Sequence, residues 1–205
     1  QALIDYGVRT VIDLRIPDEL ERRPDVFARS MMVTYHHHDL VGEDFMRIVS
    51  AQTSTVLGPY IGRWTLKKIL HILEHRRARI CGTLATLAEP GGLPAIIHCS
   101  AGKGRTGLIV ALMMGLAGVP PKIIAEDYAL AAAVRWRQRS ENVPSPGADS
   151  PCMSWEEYLQ VCCPPRAMYK TLELLERQYG GIETYVRGGG LTEDQVRRIR
   201  CGLVE

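Results

Sequence analysis

Residues 94–107 read Pro94-Ala95-Ile96-Ile97-His98-Cys99-Ser100-Ala101-Gly102-Lys103-Gly104-Arg105-Thr106-Gly107, and the apolar run Leu108 to Ala117 follows directly. The order is a short apolar strand, a glycine-bearing loop and an apolar helix, the unit from which parallel α/β sheets are built. Five residues separate Cys99 from Arg105. A loop of that length can turn back so that successive backbone N–H groups converge on an anion. Gly102 and Gly104 permit the unusual dihedrals such a turn needs. The helix that begins near Arg105 adds the positive end of its dipole. Arg105 can grip two oxygens of a phosphate, and Lys103 adds a second cation. Residues Ser100, Ala101, Gly102, Lys103, Gly104, Arg105 and Thr106 are therefore expected to bind phosphate.

The same field favours a Cys99 thiolate near neutral pH, and a thiolate at the base of a phosphate cradle is a nucleophile aimed at phosphorus. The Thr106 hydroxyl is close enough in sequence to stabilise it. Attack, a phosphocysteine intermediate and hydrolysis follow as the expected reaction. Amides and Arg105 supply the electrostatic stabilisation, so the scheme needs no metal and no cofactor. From Gly91 to Ala125 there are 35 residues without an acid, and they contain Lys103, Arg105 and Lys122. The formal net charge of +2 averages over this positive segment.

Working outward, Val8 to Leu14 reads as a buried strand, followed by a helical turn from Pro17. Met31 to Tyr35 reads as a second strand, running on through His36, His37 and His38 to Asp39. Tyr60 to Leu87 is helical by its apolar spacing, with room for one break. Pro121 starts another helix through Ala133, and residues 138–154 read as a loop insertion. Ser154 with Glu157, and Thr192 with Gln195, match the capping box that marks helix starts. Pro165 to Tyr179 is amphipathic. The expectation is one α/β domain over residues 1–205, with a small, mostly parallel central sheet flanked by helices and a helical part at 155–205.

Composition excludes several classes. Hydrophobic residues make up 46% and charged residues 23% of 205, which suits a globular core. The balanced charge argues against a nucleic-acid partner. The longest apolar run, Leu108 to Val119, is 12 residues, short of the roughly 20 that span a membrane. Six cysteines without C-x-x-C spacing, in a chain able to form a core, imply free thiols and a cytoplasmic setting, with secretion by the source organism as the other route. The chain enters its first strand almost at once, so a trimmed N-terminus is expected. Oligomeric state is not encoded in any motif.

A phosphate ester also needs an acid for its leaving group. Asp39, at the end of the second strand, is the first candidate, with Asp44 and Asp149 behind it. Asp13 and Asp127 suit structural roles. His36 and His38 would share a strand face, but without a recognisable Cys or Glu partner they do not make a metal site. His98 is expected to brace the loop from behind.

The residues His98 to Gly107 resemble the signature loop of cysteine-dependent phosphatases. Lys103 makes that loop similar to the loop of tensin-like phosphoinositide phosphatases. Val11-Ile12-Asp13-Leu14-Arg15, Glu126-Asp127-Tyr128-Ala129-Leu130 and residues 178–186 resemble segments of the bacterial-type tyrosine/serine phosphatases related to mycobacterial protein tyrosine phosphatase B. The resemblance covers most of the chain. It implies a phosphatase fold, Cys99 as nucleophile, Arg105 as phosphate clamp, and an acid at Asp39. It implies phosphorylated protein or phosphoinositide as substrate, the latter reached by transient membrane contact. One position departs from that family: Gly104 stands where an aspartate usually precedes the loop arginine. That departure keeps open a phosphate-binding module without turnover. Arsenate reductase or sulfurtransferase chemistry is a further alternative, with Cys81 as a candidate resolving thiol.

Overall fold

The computed structural model describes residues 2–42, 61–141 and 154–204. After a short helix α1 (Ala2–Asp5), strand β1 (Thr10–Asp13) leads to α2 (Pro17–Arg22) and strand β2 (Thr34–His37). Helices α3 (Ile61–His75) and α4 (Arg77–Ala88) precede strand β3 (Ala95–His98), and α5 (Gly104–Leu116) follows it. The rest is helical: α6 (Pro121–Glu141), α7 (Trp155–Cys162), α8 (Pro165–Tyr179), α9 (Ile182–Gly188) and α10 (Glu193–Val204).

The three strands form a parallel sheet in the order β2-β1-β3. Val11 and Ile12 of the central strand are fully buried, as expected when helices cover both faces of a parallel sheet. Asp13 is in register with His37 on one side and His98 on the other, so all three strands end at one level. That is the edge at which open parallel sheets place their ligands.

Helix α5 is the hub. It packs against β3, α3, α4, α6, α9 and α10. A helix surrounded on that many sides must be apolar almost all round, and Leu108, Ile109, Leu112 and Leu116 are buried. Ile69, Ile72 and Leu73 of α3, Leu84 and Leu87 of α4, Met168 and Leu175 of α8, and Tyr185 of α9 complete the core around it. The approach of α5 to α6 is close: a Cβ on Gly107 would meet the Tyr128 ring at 2.5 Å.

Several expected boundaries move. The expected helical stretch is broken once, at Arg76, whose φ of −121° and ψ of 23° leave the helical region, and Tyr60 lies outside the described residues. Strand β2 starts at Thr34, the partner of Thr10, so Met31 and Met32 have no strand to pair with and are 97% and 63% exposed. Helix α6 continues past Ala133 to Glu141, because no glycine or proline interrupts residues 122–143. The first four residues of the expected loop, 138–141, are therefore helical. The capping box at Ser154 forms with both hydrogen bonds, Glu157 N to Ser154 Oγ at 3.2 Å and Ser154 N to Glu157 Oε2 at 2.8 Å. Its counterpart at Thr192 and Gln195 closes in the same way.

Candidate active site

β3 delivers Cys99 to the C-terminal edge of the sheet, and α5 begins five residues later at Gly104. Between them the turn depends on Gly102, at φ +63° with open space where a Cβ would stand. Gly104 needs no such freedom: it opens α5 without a positive φ.

Arg105 is 6% exposed and lies across the site. Its Nη1 donates to Glu19 Oε2 at 2.5 Å and to the Leu14 carbonyl at 3.2 Å, and its Nη2 donates to Glu19 Oε1 at 2.9 Å. Glu19 comes from the first turn of α2, where its Oε2 also accepts from Ile16 N at 3.0 Å. Burial alone would raise the Glu19 carboxyl. The hydrogen bonds from Arg105 and Ile16 outweigh it and bring the pKa down to about 2. Glu19 and Leu14 take three of the five guanidinium donors, and Arg105 also hydrogen-bonds the Cys99 sulfur.

Cys99 is partly buried. Desolvation pushes its thiol up, but the net direction is down, through Arg105, the Thr106 hydroxyl and the amides of Ala101 and Thr106. Among the described residues the buried Thr106 Oγ1 has no other hydrogen-bond partner. A pocket of about 560 Å³ opens onto Cys99 and Ser100 and is walled by Arg15, Glu19, Arg23 and Asp25.

An ion network underlies this pocket. Asp13 is wholly buried and accepts from Arg15 Nε at 2.9 Å, Arg15 Nη2 at 2.7 Å and Tyr35 Oη at 2.9 Å. Burial opposes its charge, and these donors overcome it, so the carboxyl is held below its usual range. Arg15 Nη2 also lies 3.7 Å from Asp25 Oδ2. His98 Nε2 sits 3.2 Å from that same Asp25 oxygen and 3.8 Å from Asp13 Oδ2. Asp13, Asp25 and His98 thus converge, but the Arg15 guanidinium already holds the cation's position among them. His98 Nε2 thus lies between the end of β3 and the segment carrying Asp25.

Asp39 lies two residues beyond β2, where its Oδ1 accepts from Val41 N at 2.8 Å and Gly42 N at 3.0 Å. This turn uses one carboxylate oxygen. Asp44 and Asp149 lie outside the described residues. His36 and His38 do share a face, with ring centroids 6.2 Å apart, while His37 Nε2 is 2.7 Å from the Arg15 carbonyl. His38 Nε2 is 3.2 Å from Thr86 Oγ1.

Lys103 takes a direction the spacing does not predict: its Nζ is 3.4 Å from Cys162 Sγ, at the end of α7. Cys163 and Tyr158 also bond to Cys162 and, with Lys103, favour its thiolate. Among the described residues, Lys68 of α3 is a cation on which Arg105, Glu19, Cys99 and Asp39 all act. Neither Glu19 nor Lys68 is singled out by the sequence. Glu19 reads there as an ordinary acid in a helix first turn, and Lys68 as one polar residue beside an apolar stripe. The available signal was that Lys68 falls one turn before Ile72, on the inward face of α3.

The whole chain, residues 1–205, matches the model of a family described as the tyrosine phosphatase family. The chain belongs to that family. Among its curated relatives is a tyrosine-protein phosphatase of Nostoc commune, 29% identical over 210 residues, which cover 98% of this chain and 68% of that protein. A second is the triple specificity protein phosphatase PtpB of Mycobacterium tuberculosis, 27% identical over 127 residues, covering 55% of this chain and 45% of the relative. Among the described residues no helix is long and apolar enough to cross a membrane.

Proposed function

We propose that this tyrosine phosphatase family member hydrolyses phosphate monoesters, phosphotyrosine foremost, through a phosphocysteine on Cys99. The observation that carries the reading is the Cys99 thiol, lowered by Arg105 and Thr106, beside a guanidinium that Glu19 holds rigidly. The phosphate docks on the loop amides from Ser100 to Thr106 and on the Arg105 guanidinium. The Cys99 sulfur attacks phosphorus, and the bond from phosphorus to the leaving oxygen breaks as the S–P bond forms. Asp39 gives its proton to the leaving oxygen. It then takes a proton from water, whose oxygen attacks phosphorus, breaks the S–P bond and releases inorganic phosphate with the thiolate restored. The loop itself carries no acid at Gly104, so the proton must come from outside it.

The alternatives find less support. Cys81, the candidate resolving thiol, packs with its Sγ 3.4 Å from the Val186 carbonyl. Free thiols at Cys81, Cys99, Cys162, Cys163 and Cys201 suit a reducing, cytoplasmic setting. The experiment is phosphate release from a phosphotyrosine peptide, a phosphoinositide and an inositol phosphate, with wild type and Cys99→Ser side by side. Release that requires Cys99 and is fastest on the phosphotyrosine peptide supports the proposal. Fastest release from the phosphoinositide transfers the site to lipid substrates, and phosphate binding without release makes the chain a binding module.

A further inference from the structure

The site has an electrostatic imbalance. A phosphate ester brings about two negative charges, and the Cys99 thiolate brings another. Arg105 is already engaged by the Glu19 carboxylate through both terminal nitrogens, so that pair is near neutral. Lys103, the loop's own lysine, has turned to Cys162. A further cation at the phosphate would offset this charge, and with Lys103 engaged by Cys162 it comes from outside the loop.

Helix α3 provides it. Ile69, Ile72 and Leu73 form the buried stripe of that helix, and Lys68 adjoins it, one turn before Ile72. α3 packs directly on α5, whose first turn carries Arg105. We propose that Lys68 is a catalytic residue that binds the phosphoryl oxygens together with Arg105, taking the part that loop spacing assigns to Lys103. The proposal rests on the phosphate-ester reading above.

The charged surroundings support it. Burial lowers the Lys68 ammonium first and Arg105 lowers it further, against Glu19, Cys99 and Asp39, and the outcome is a pKa of about 8. These groups come from α5, α2, the signature loop and the segment after β2. The inward titratable groups of α7 are Tyr158 and Cys162, which bond to each other, and Lys103 bonds to Cys162. α8 turns Arg166, Lys170 and Glu173 to solvent, and α4 does the same with Arg79. Bound phosphate adds negative charge beside Lys68 and so holds its proton. In the free protein the proton is lost as pH rises through about 8.

The test uses inorganic phosphate as probe, titrated calorimetrically into wild type, Lys68→Met and Lys68→Arg, with thermal melting to check each fold. Lys68→Met should bind phosphate about 10- to 100-fold more weakly, the range for a hydrogen bond to a charged group, and Lys68→Arg should recover most of the loss. In parallel, kcat/KM for p-nitrophenyl phosphate should fall in wild type as pH rises through about 8, and the fall should move to higher pH in Lys68→Arg. Unchanged phosphate affinity in Lys68→Met overturns the role of Lys68 and leaves the phosphatase reading standing. If Lys68→Met does not fold, an alkaline fall that stays in place in Lys68→Arg overturns it equally. Phosphate binding that depends on Lys68 in a wild type that releases no phosphate refutes turnover and keeps the binding role.

Discussion

Replacing Glu19 by Gln tests how the site is held together. The carboxylate meets Arg105 through two hydrogen bonds, at 2.5 and 2.9 Å, and caps the start of α2 through Ile16 N. Its pKa falls from 4.5 to about 2 in the folded protein. That gap corresponds to about 3 kcal/mol of preference for the ionised form. Because 26% of the Glu19 side chain is exposed, solvent screening trims the figure to about 2 kcal/mol. The folded value lies below the unfolded one, so between the two it is the unfolded chain that binds the extra proton. The stabilisation is complete above about pH 4.5 and is lost as pH falls toward about 2. Glutamine keeps the shape and removes the charge, and its amide places a donor against donors. Urea unfolding of wild type and Glu19→Gln should therefore differ by about 2 kcal/mol at neutral pH. The two curves should converge in acid, where wild-type Glu19 is itself neutral. A difference that stays constant through the acid range, or no difference at neutral pH, would refute the reasoning.

Other consequences follow from neighbouring contacts. Thr106→Ala removes a hydroxyl that lowers the Cys99 thiol, so the pH midpoint of Cys99 alkylation by iodoacetamide should rise; an unchanged midpoint dismisses Thr106 as a stabiliser of the thiolate. Asp39→Asn keeps the Oδ1 acceptor for Val41 and Gly42 but cannot supply a proton. Turnover of an alkyl phosphate should drop about 100-fold or more and that of p-nitrophenyl phosphate much less; equal losses on both would remove Asp39 as the acid. Gly107→Ala drives a methyl to 2.5 Å from the Tyr128 ring, which is buried and cannot swing out. Thermal denaturation should register a loss of about 1–3 kcal/mol, and a variant as stable as wild type would contradict that packing.

What the sequence reveals here depends on how local each feature is. Strand, loop and helix from Ala95 to Leu116 are contiguous, and turn chemistry, apolar runs and helix starts act over a few residues, so this unit is legible. The same holds for the Ser154 and Thr192 caps and for α8. Partners brought together by the sheet are not legible. Glu19 and Arg105 are 86 residues apart and meet because parallel β1 and β3 end at one level. Lys68 stands on a helix between the strands, where Arg105, Glu19 and Cys99 act on it, and nothing in its own segment announces those neighbours. Met31 and Met32 are apolar yet exposed, since strand composition cannot show where the neighbouring strand begins. Lys103 illustrates the reverse case. Its spacing aims it at the anion, and a thiol from α7 draws it aside.

The central claim is that Cys99 carries the phosphoryl group. Wild-type protein mixed with p-nitrophenyl phosphate, quenched in acid during turnover and digested, should yield the peptide containing Cys99 with a phosphoryl group on its sulfur. The adduct should be absent from Cys99→Ser and should accumulate when Asp39 is replaced by Asn, if Asp39 also activates the water. Turnover with no phosphoryl group on Cys99, or undiminished phosphate release by Cys99→Ser, would contradict the account.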